Sequence, residues 1–286
     1  MRVANLSGRA VLLADDGGGA IDIAEAGGGR FPADPQALYE VWDELRDWAP
    51  GAPSAAAVPY DQARLRAPAP APRQIFAIGV NYRDHAEESG IDVGDRPDRP
   101  PVFTKFVTCL TGQDARVALP KDGLTDWETE LVVVIGRRAA GVAAEDAWDH
   151  VAGVTVGQDL SERLTQLAPP QPQQYSLGKS YPGFGPMGPW LVTPDEFGDP
   201  DDLEIGCDLN GERMQHARTK DMIFSVPQLL EVLSAVAPLL PGDAIFTGTP
   251  AGIGGTRTPP RFLAPGDRLE SFVEGVGTLR TSFVEA

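Results

Sequence analysis

Glu128 and Glu130 stand one residue apart at the head of an apolar run that ends at Ile135. Side chains alternate across a strand, so the two carboxylates point to one face. They repel each other there, and a divalent cation offsets the repulsion. An isolated Glu-x-Glu pair is more often two exposed glutamates at a strand end. Asp159 changes the balance, because it follows the next apolar run, 151–156, in Gly157-Gln158-Asp159. If the two runs are neighbouring strands, three carboxylates meet at their ends. An all-oxygen set of this kind suits Mg²⁺ or Mn²⁺, with waters completing the coordination. No Cys/His cluster competes for zinc.

A second group of residues could move protons or hold anions. Asp84-His85-Ala86-Glu87-Glu88 reads as a helical turn, where residues three apart share a face. Glu88 can then orient His85, whose ordinary pKa near ~6.5 suits a general base. The alternative is a surface helix carrying one of the chain's three histidines. The polar, glycine-bearing stretch from Ser89 to Asp95 fits a lid that orders over substrate. Lys179 lies between small residues in Gly178-Lys179-Ser180, as a solvated loop lysine also would. Lys105 interrupts Phe103-Thr104-Lys105-Phe106, which is unfavourable unless its ammonium meets an anion or water. Arg163 and Gln166 follow Asp159 by four and seven residues, and on a helix they share its face. In Thr247-Gly248-Thr249-Pro250 small residues let backbone and hydroxyl groups approach an anion closely. An ordinary Gly/Pro turn has the same composition. Gly252-Ile253-Gly254-Gly255 lacks dinucleotide-binding spacing, and Gly183 and Gly185 read as part of a Pro/Gly-rich loop. His150 and His216 read as structural or surface residues.

These side chains need a frame. Strands are expected over 2–6 and 9–14, followed by a turn at Asp15-Asp16-Gly17-Gly18-Gly19. Asp34-Pro35 reads as a helix N-cap and first helical residue, with Leu38, Val41, Trp42 and Leu45 on one apolar face. The Pro/Ala run 66–73 reads as an extended connector. The expected organisation is a small strand-plus-helix domain over 1–66, a linker over 67–73 and a catalytic domain over 74–286. Further strands are expected at 75–80, 102–107, 130–135, 151–156, 203–209, 244–246 and 268–273, with a tight turn at Asn210-Gly211. One long helix is expected from 226 to 237, capped by Ser225. Many strands and few helices predict a mixed, β-dominated α+β fold.

Composition narrows the partners. The chain has 286 residues and a net charge of -17, which argues against a nucleic-acid groove or an anionic membrane surface. No apolar run approaches the ~20 residues of a membrane span, and the first residues lack a signal-peptide core. Cys109 and Cys207 fit no CxxC pattern, so a reduced, cytoplasmic protein is expected.

Six segments together carry a family resemblance: AIGVNYRDH at 77–85, DWETEL at 126–131, GQDLSER at 157–163, GKS at 178–180, MIFS at 222–225 and TGTPAGIG at 247–254. In this order they resemble the fumarylacetoacetate hydrolase family, in its acylpyruvate hydrolase and hydroxyhepta-diene-dioate isomerase branch. The resemblance runs from about residue 74 to the C-terminus, and the first 70 residues are similar to the small variable N-terminal domain of bacterial members. It implies a β-roll core, a homodimer and a small-molecule oxo acid substrate. It implies Mg²⁺ or Mn²⁺ at Glu128, Glu130 and Asp159, and His85 with Glu88 as the water-activating pair. It gives Lys179 an oxyanion-stabilising role, Lys105, Arg163 and Gln166 a place against substrate, and Thr249 a contact with the substrate carboxylate. The reaction it favours is hydrolysis of a carbon–carbon bond in a 2,4-dioxo acid. Tautomerisation, double-bond isomerisation and β-keto acid decarboxylation use the same site, and a non-catalytic binding protein is the rival of another class.

Overall fold

Apolar side chains dominate 131–135 and 151–156 without alternating with polar ones, which calls for cover on both faces. The computed structural model, which describes residues 1–14, 18–94, 97–169 and 173–286, supplies that cover. Strands Thr129–Ile135 and Val151–Gln158 pair antiparallel in the middle of a large mixed sheet, and every residue of both is buried. From one edge the sheet runs Ala20–Asp22, Arg9–Leu13, Arg2–Leu6, Gly185–Val192, Val151–Gln158, Thr129–Ile135, Ala244–Phe246, Ile75–Ile78 and Val102–Thr104. Val132, Val134 and Phe246 share one core with Leu38, Tyr39, Trp42 and Leu45 from the N-terminal helical segment. Leu131, Val133 and Ile135 share the opposite core with Ile205, Val273 and Leu279 of a second, five-stranded sheet. Helix Val226–Ser234 closes that core with Val226, Leu230 and Leu233. The fold is the mixed, β-dominated α+β arrangement that the strand count predicts.

Several expected ends and turns are in place. Asp34 Oδ1 accepts the N–H groups of Gln36 and Ala37 at 2.8 and 2.9 Å, ahead of the 3₁₀ segment Ala37–Val41 and helix Trp42–Trp48. Ser225 and Gln228 form a capping box on the long helix. Asn210 and Gly211 turn with φ of 54° and 84°, as a tight hairpin requires. Ala14 N–H donates to Gly19 carbonyl at 2.9 Å, although Asp15, Asp16 and Gly17 of that expected turn lie outside the described residues. Among the described residues no helix is long and apolar enough to cross a membrane.

Other elements differ from the sequence expectation. The strand expected through 107 stops at Thr104, and Val107–Cys109 forms a 3₁₀ turn. Ala115–Leu119, Gly185–Val192, Glu212–Arg218 and Gly277–Glu285 are strands that the pattern did not pick out. Gly185–Val192 carries two prolines and two glycines and reads as a loop, yet it is central. Its neighbour Val151–Gln158 shifts register between Val154 and Val156, where a prolyl nitrogen has no proton to donate. The Pro/Ala run is not a solvated tether. Ala67 and Ala69 are buried, Asn5 donates to Ala67 carbonyl at 2.9 Å, and Tyr39 hydroxyl donates to Pro68 carbonyl at 3.1 Å.

Residues 1–66 therefore share a sheet and a core with the rest of the chain. Leu45 is fully buried in that common core. Leu45→Ala is expected to destabilise the whole protein by roughly 2–5 kcal/mol, in one denaturant transition followed by far-UV circular dichroism. Two separated transitions would show that the N-terminal segment folds independently.

Candidate active site

The pairing register brings the three predicted carboxylates together. Glu130 lies opposite Gly157, and Asp159 N–H donates to Glu128 carbonyl at 2.8 Å. By alternation Glu130 continues the row of Val132 and Val134 to the strand's end. One oxygen from each of Glu128, Glu130 and Asp159 lies within 4.8 Å of the others, and all three residues are buried. Gly157 permits this approach, since a Cβ there would come within 2.4 Å of Val132 Cγ2.

Three cations reach into the cluster. Lys179 Nζ lies 2.6 Å from Glu128 Oε2 and 2.5 Å from Asp159 Oδ2. Lys105 Nζ lies 2.6 Å from Asp159 Oδ1, and donates to the carbonyls of Lys179 and Phe184. Arg163 spans Asp126 Oδ2 and Glu128 Oε1, each at 2.8 Å. Burial opposes the charge on Glu128, but Lys179 and Arg163 outweigh it and hold that carboxyl at about 2. Burial likewise opposes the Lys179 charge, and Asp159 and Glu128 raise its pKa nonetheless.

Glu130 is the member left out. Its Oε2 accepts Gly248 N–H at 2.8 Å, while its buried Oε1 has no hydrogen-bond partner among the described residues. Burial, then the charges of Asp159 and Glu128, push its pKa well above the usual carboxylate range. Gly248 makes its one bond possible: φ is +100°, and a Cβ would lie 2.6 Å from that of Asn81. A buried set of hard oxygens with one orphan and too little positive charge fits Mg²⁺ or Mn²⁺ at Glu128, Glu130 and Asp159.

The His–Glu pair forms as its spacing predicts. His85 Nδ1 and Glu88 Oε1 are 2.8 Å apart on helix Arg83–Glu88. Glu88 Oε2 accepts from Gly252 N–H at 2.9 Å and Thr256 hydroxyl at 3.0 Å. Burial works to raise the Glu88 pKa, but the His85 bond and the Gly252 N–H outweigh it and hold the carboxyl below its ordinary range. His85 is close enough for its charge to bear on Glu128. His85, Glu128, Arg163, Gln166 and Lys179 line one cavity of about 730 Å³. Ser89 and Ile91 of the expected lid line it as well, and Asp95 lies outside the described residues.

Two predicted substrate contacts sit elsewhere. Lys105 does not reach the cavity wall and lies beneath Asp159, fully ion-paired. Thr249 hydroxyl donates to Thr129 carbonyl at 2.9 Å and accepts from Gln215 at 2.7 Å, so it braces the metal-site strand. The helix carrying Arg163 and Gln166 begins only at Arg163, so Asp159 precedes it in the chain. Arg163 donates to Gln166 Oε1 at 2.8 Å, one helical turn on. His150 and His216 bond Arg138 carbonyl and Glu204, away from the site. Residues 170–172, which follow the helix carrying Arg163 and Gln166, lie outside the described residues.

Sequence reasoning passed over the supports. Asp126 is fully buried and accepts from Trp127, Gly254 and Gly255 N–H groups at 2.8, 2.7 and 2.9 Å, besides Arg163. Gln158 accepts from Glu128 N–H at 2.9 Å and donates to Thr129 and Ser271 hydroxyls. Asn81 ties Phe224 and Thr247 together through both ends of its amide. The available signal was position alone, since each is a polar residue inside or beside a motif.

Comparison with known proteins gives the family. The model for the fumarylacetoacetate hydrolase C-terminal domain matches residues 74–284. The chain belongs to the fumarylacetoacetate hydrolase family. It is 44% identical over 214 residues to 2,4-didehydro-3-deoxy-L-rhamnonate hydrolase from Sphingomonas sp., covering 74% of this chain and 73% of that one. It is 40% identical over 223 residues to a mitochondrial oxaloacetate tautomerase from Bos taurus, covering 78% of this chain and 70% of that one. A crystal structure of an HpcE protein from Mycobacterium smegmatis matches over the full length of both chains, with TM-score 0.92 and 51% identity. Maleylpyruvate hydrolase from Sphingobium sp., solved with manganese(II) and pyruvate, matches over both full lengths with TM-score 0.78 and 28% identity.

The orphaned Glu130 gives a stability test. In metal-free protein its raised pKa means that the folded state keeps a proton the unfolded chain loses above about pH 4.5. Its contribution to stability therefore falls as pH rises through that window. Glu130→Gln is expected to flatten this loss. Mn²⁺ at a hundred times its Kd is expected to stabilise the wild type by about 2.7 kcal/mol and the variant far less, as read by thermal unfolding.

Proposed function

We propose that the protein hydrolyses a carbon–carbon bond in a 2,4-dioxo acid of the acylpyruvate type. The observation that supports this reading is that His85, held by Glu88, lines the same cavity as Glu128 and Lys179. Glu128, Glu130 and Asp159 would hold Mg²⁺ or Mn²⁺, which when bound would supply Lewis acidity toward a 2-oxo acid. The likeness to a maleylpyruvate hydrolase solved with manganese(II) and pyruvate supports that pairing of ion and oxo acid.

Glu88 holds His85 through Nδ1, which leaves Nε2 to take a proton from water. The hydroxide forms its bond to the 4-oxo carbon. The bond between C3 and C4 then breaks, and its electron pair passes to the pyruvate fragment as an enolate. Lys179 stabilises the oxygen that carries this charge. The imidazolium of His85 returns the proton to C3, and the acyl fragment leaves as a carboxylic acid that gives its proton to solvent.

Tautomerisation is the second reading, favoured by the likeness to an oxaloacetate tautomerase. It needs the same enolate and a proton shuttle, with no attack by water. Product analysis separates the two. With acetylpyruvate, NMR is expected to show acetate and pyruvate in equal amounts. Exchange of the C3 protons without acetate release would overturn the hydrolase reading in favour of the tautomerase. His85→Ala is expected to lower kcat for hydrolysis by about 10²–10⁴ while Mn²⁺ affinity, measured by calorimetry, stays unchanged.

A further inference from the structure

The cavity wall carries two kinds of side chain. Charged and polar groups come from His85, Glu128, Arg163, Gln166 and Lys179. The rest of the wall is mostly hydrocarbon, from Ile91, Phe103, Leu124, Leu164, Leu167 and Phe262. Leu164 and Leu167 remain 53% and 52% exposed, though both are apolar and lie on the helix that positions Arg163. Side chains in that state gain by covering themselves with an apolar ligand.

The two cations of the wall are committed to carboxylates, and in the reaction above Lys179 also serves the enolate oxygen. Arg163 is held by Asp126 and Glu128, and Lys179 by Glu128 and Asp159. Among the described residues no other lysine or arginine lines the cavity. A second carboxylate on the substrate would leave water for hydrocarbon and meet no cation. It would also enter a chain of net charge -17. The volume of about 730 Å³ leaves room for much more than an acetyl group.

We infer that the substrate's acyl group is uncharged and apolar, an alkyl or aryl chain, and that Leu164 and Leu167 select it. The inference rests on the acylpyruvate reading above. It separates this chain from relatives named for doubly anionic substrates, such as the oxaloacetate tautomerase and the maleylpyruvate hydrolase.

The test compares kcat/KM of the Mn²⁺-loaded enzyme for acetyl-, butanoyl-, hexanoyl- and succinylpyruvate. The value is expected to rise about three- to fourfold per added methylene. Succinylpyruvate is expected to fall at least tenfold below butanoylpyruvate, and Leu164→Lys to narrow or invert that gap. A flat alkyl series, or succinylpyruvate equal to butanoylpyruvate, overturns the inference. Binding keeps it falsifiable if no acylpyruvate is cleaved, a result that would sink the hydrolase reading alone. Calorimetry with Mn²⁺-loaded protein would then compare 2-oxohexanoate with 2-oxoadipate. Tighter binding of 2-oxohexanoate upholds the inference, and equal or tighter binding of 2-oxoadipate overturns it.

Discussion

A buried cluster of four carboxyl groups governs this molecule. Asp126, Glu128, Glu130 and Asp159 are all buried where two central strands end, and Lys105, Lys179 and Arg163 answer them. Each cation is committed to at least one of the other three carboxylates, and Glu130 keeps an oxygen without a partner. An ionised Glu130 would be an unpaired charge in a low-dielectric interior, so burial and its neighbours hold its proton. A divalent cation would supply the missing partner, and the hard oxygens suit Mg²⁺ or Mn²⁺.

Holding such a cluster requires rigidity, and the sheet supplies it. Thr129–Ile135 and Val151–Gln158 are covered on one side by the N-terminal helical segment and on the other by the second sheet. The carboxylates therefore inherit their positions from valines and leucines that have no freedom to move. The polar supports then fix orientation. Gln158 braces the Glu128 backbone, Gln215 and Thr249 brace Thr129, and Asp126 gathers Gly254, Gly255 and Arg163. The His85–Glu88 helix is anchored by Gly252 and Thr256, so the pair is tied to the loop that follows Thr249.

Much of the fold was legible in the pattern of residues. Alternation and apolar runs located the two central strands, and Asp34 and Ser225 marked helix starts because their side chains satisfy free N–H groups. Gly185–Val192 was illegible for a physical reason. Its prolines and glycines carry loop propensity, and only its place between Arg2–Leu6 and Val151–Gln158 makes it a strand. The connector 66–73 is free of helix as its prolines require, but composition says nothing about whether a neighbour will bury it.

The sequence by itself determined the chemistry present. It placed Glu128, Glu130 and Asp159 at strand ends, and it set His85 and Glu88 three residues apart, where helical geometry makes them partners. Those are local consequences of strand and helix periods. Tertiary structure decided which polar residue does which task. Lys105 lies under Asp159, and the Thr249 hydroxyl is spent on Thr129 and Gln215, because strands distant in sequence deliver those partners. It also left Glu130 Oε1 without a hydrogen-bond partner among the described residues and gathered an apolar wall from segments between Ile91 and Phe262. No spacing rule reaches that far along a chain, because such contacts exist only once the sheets have packed.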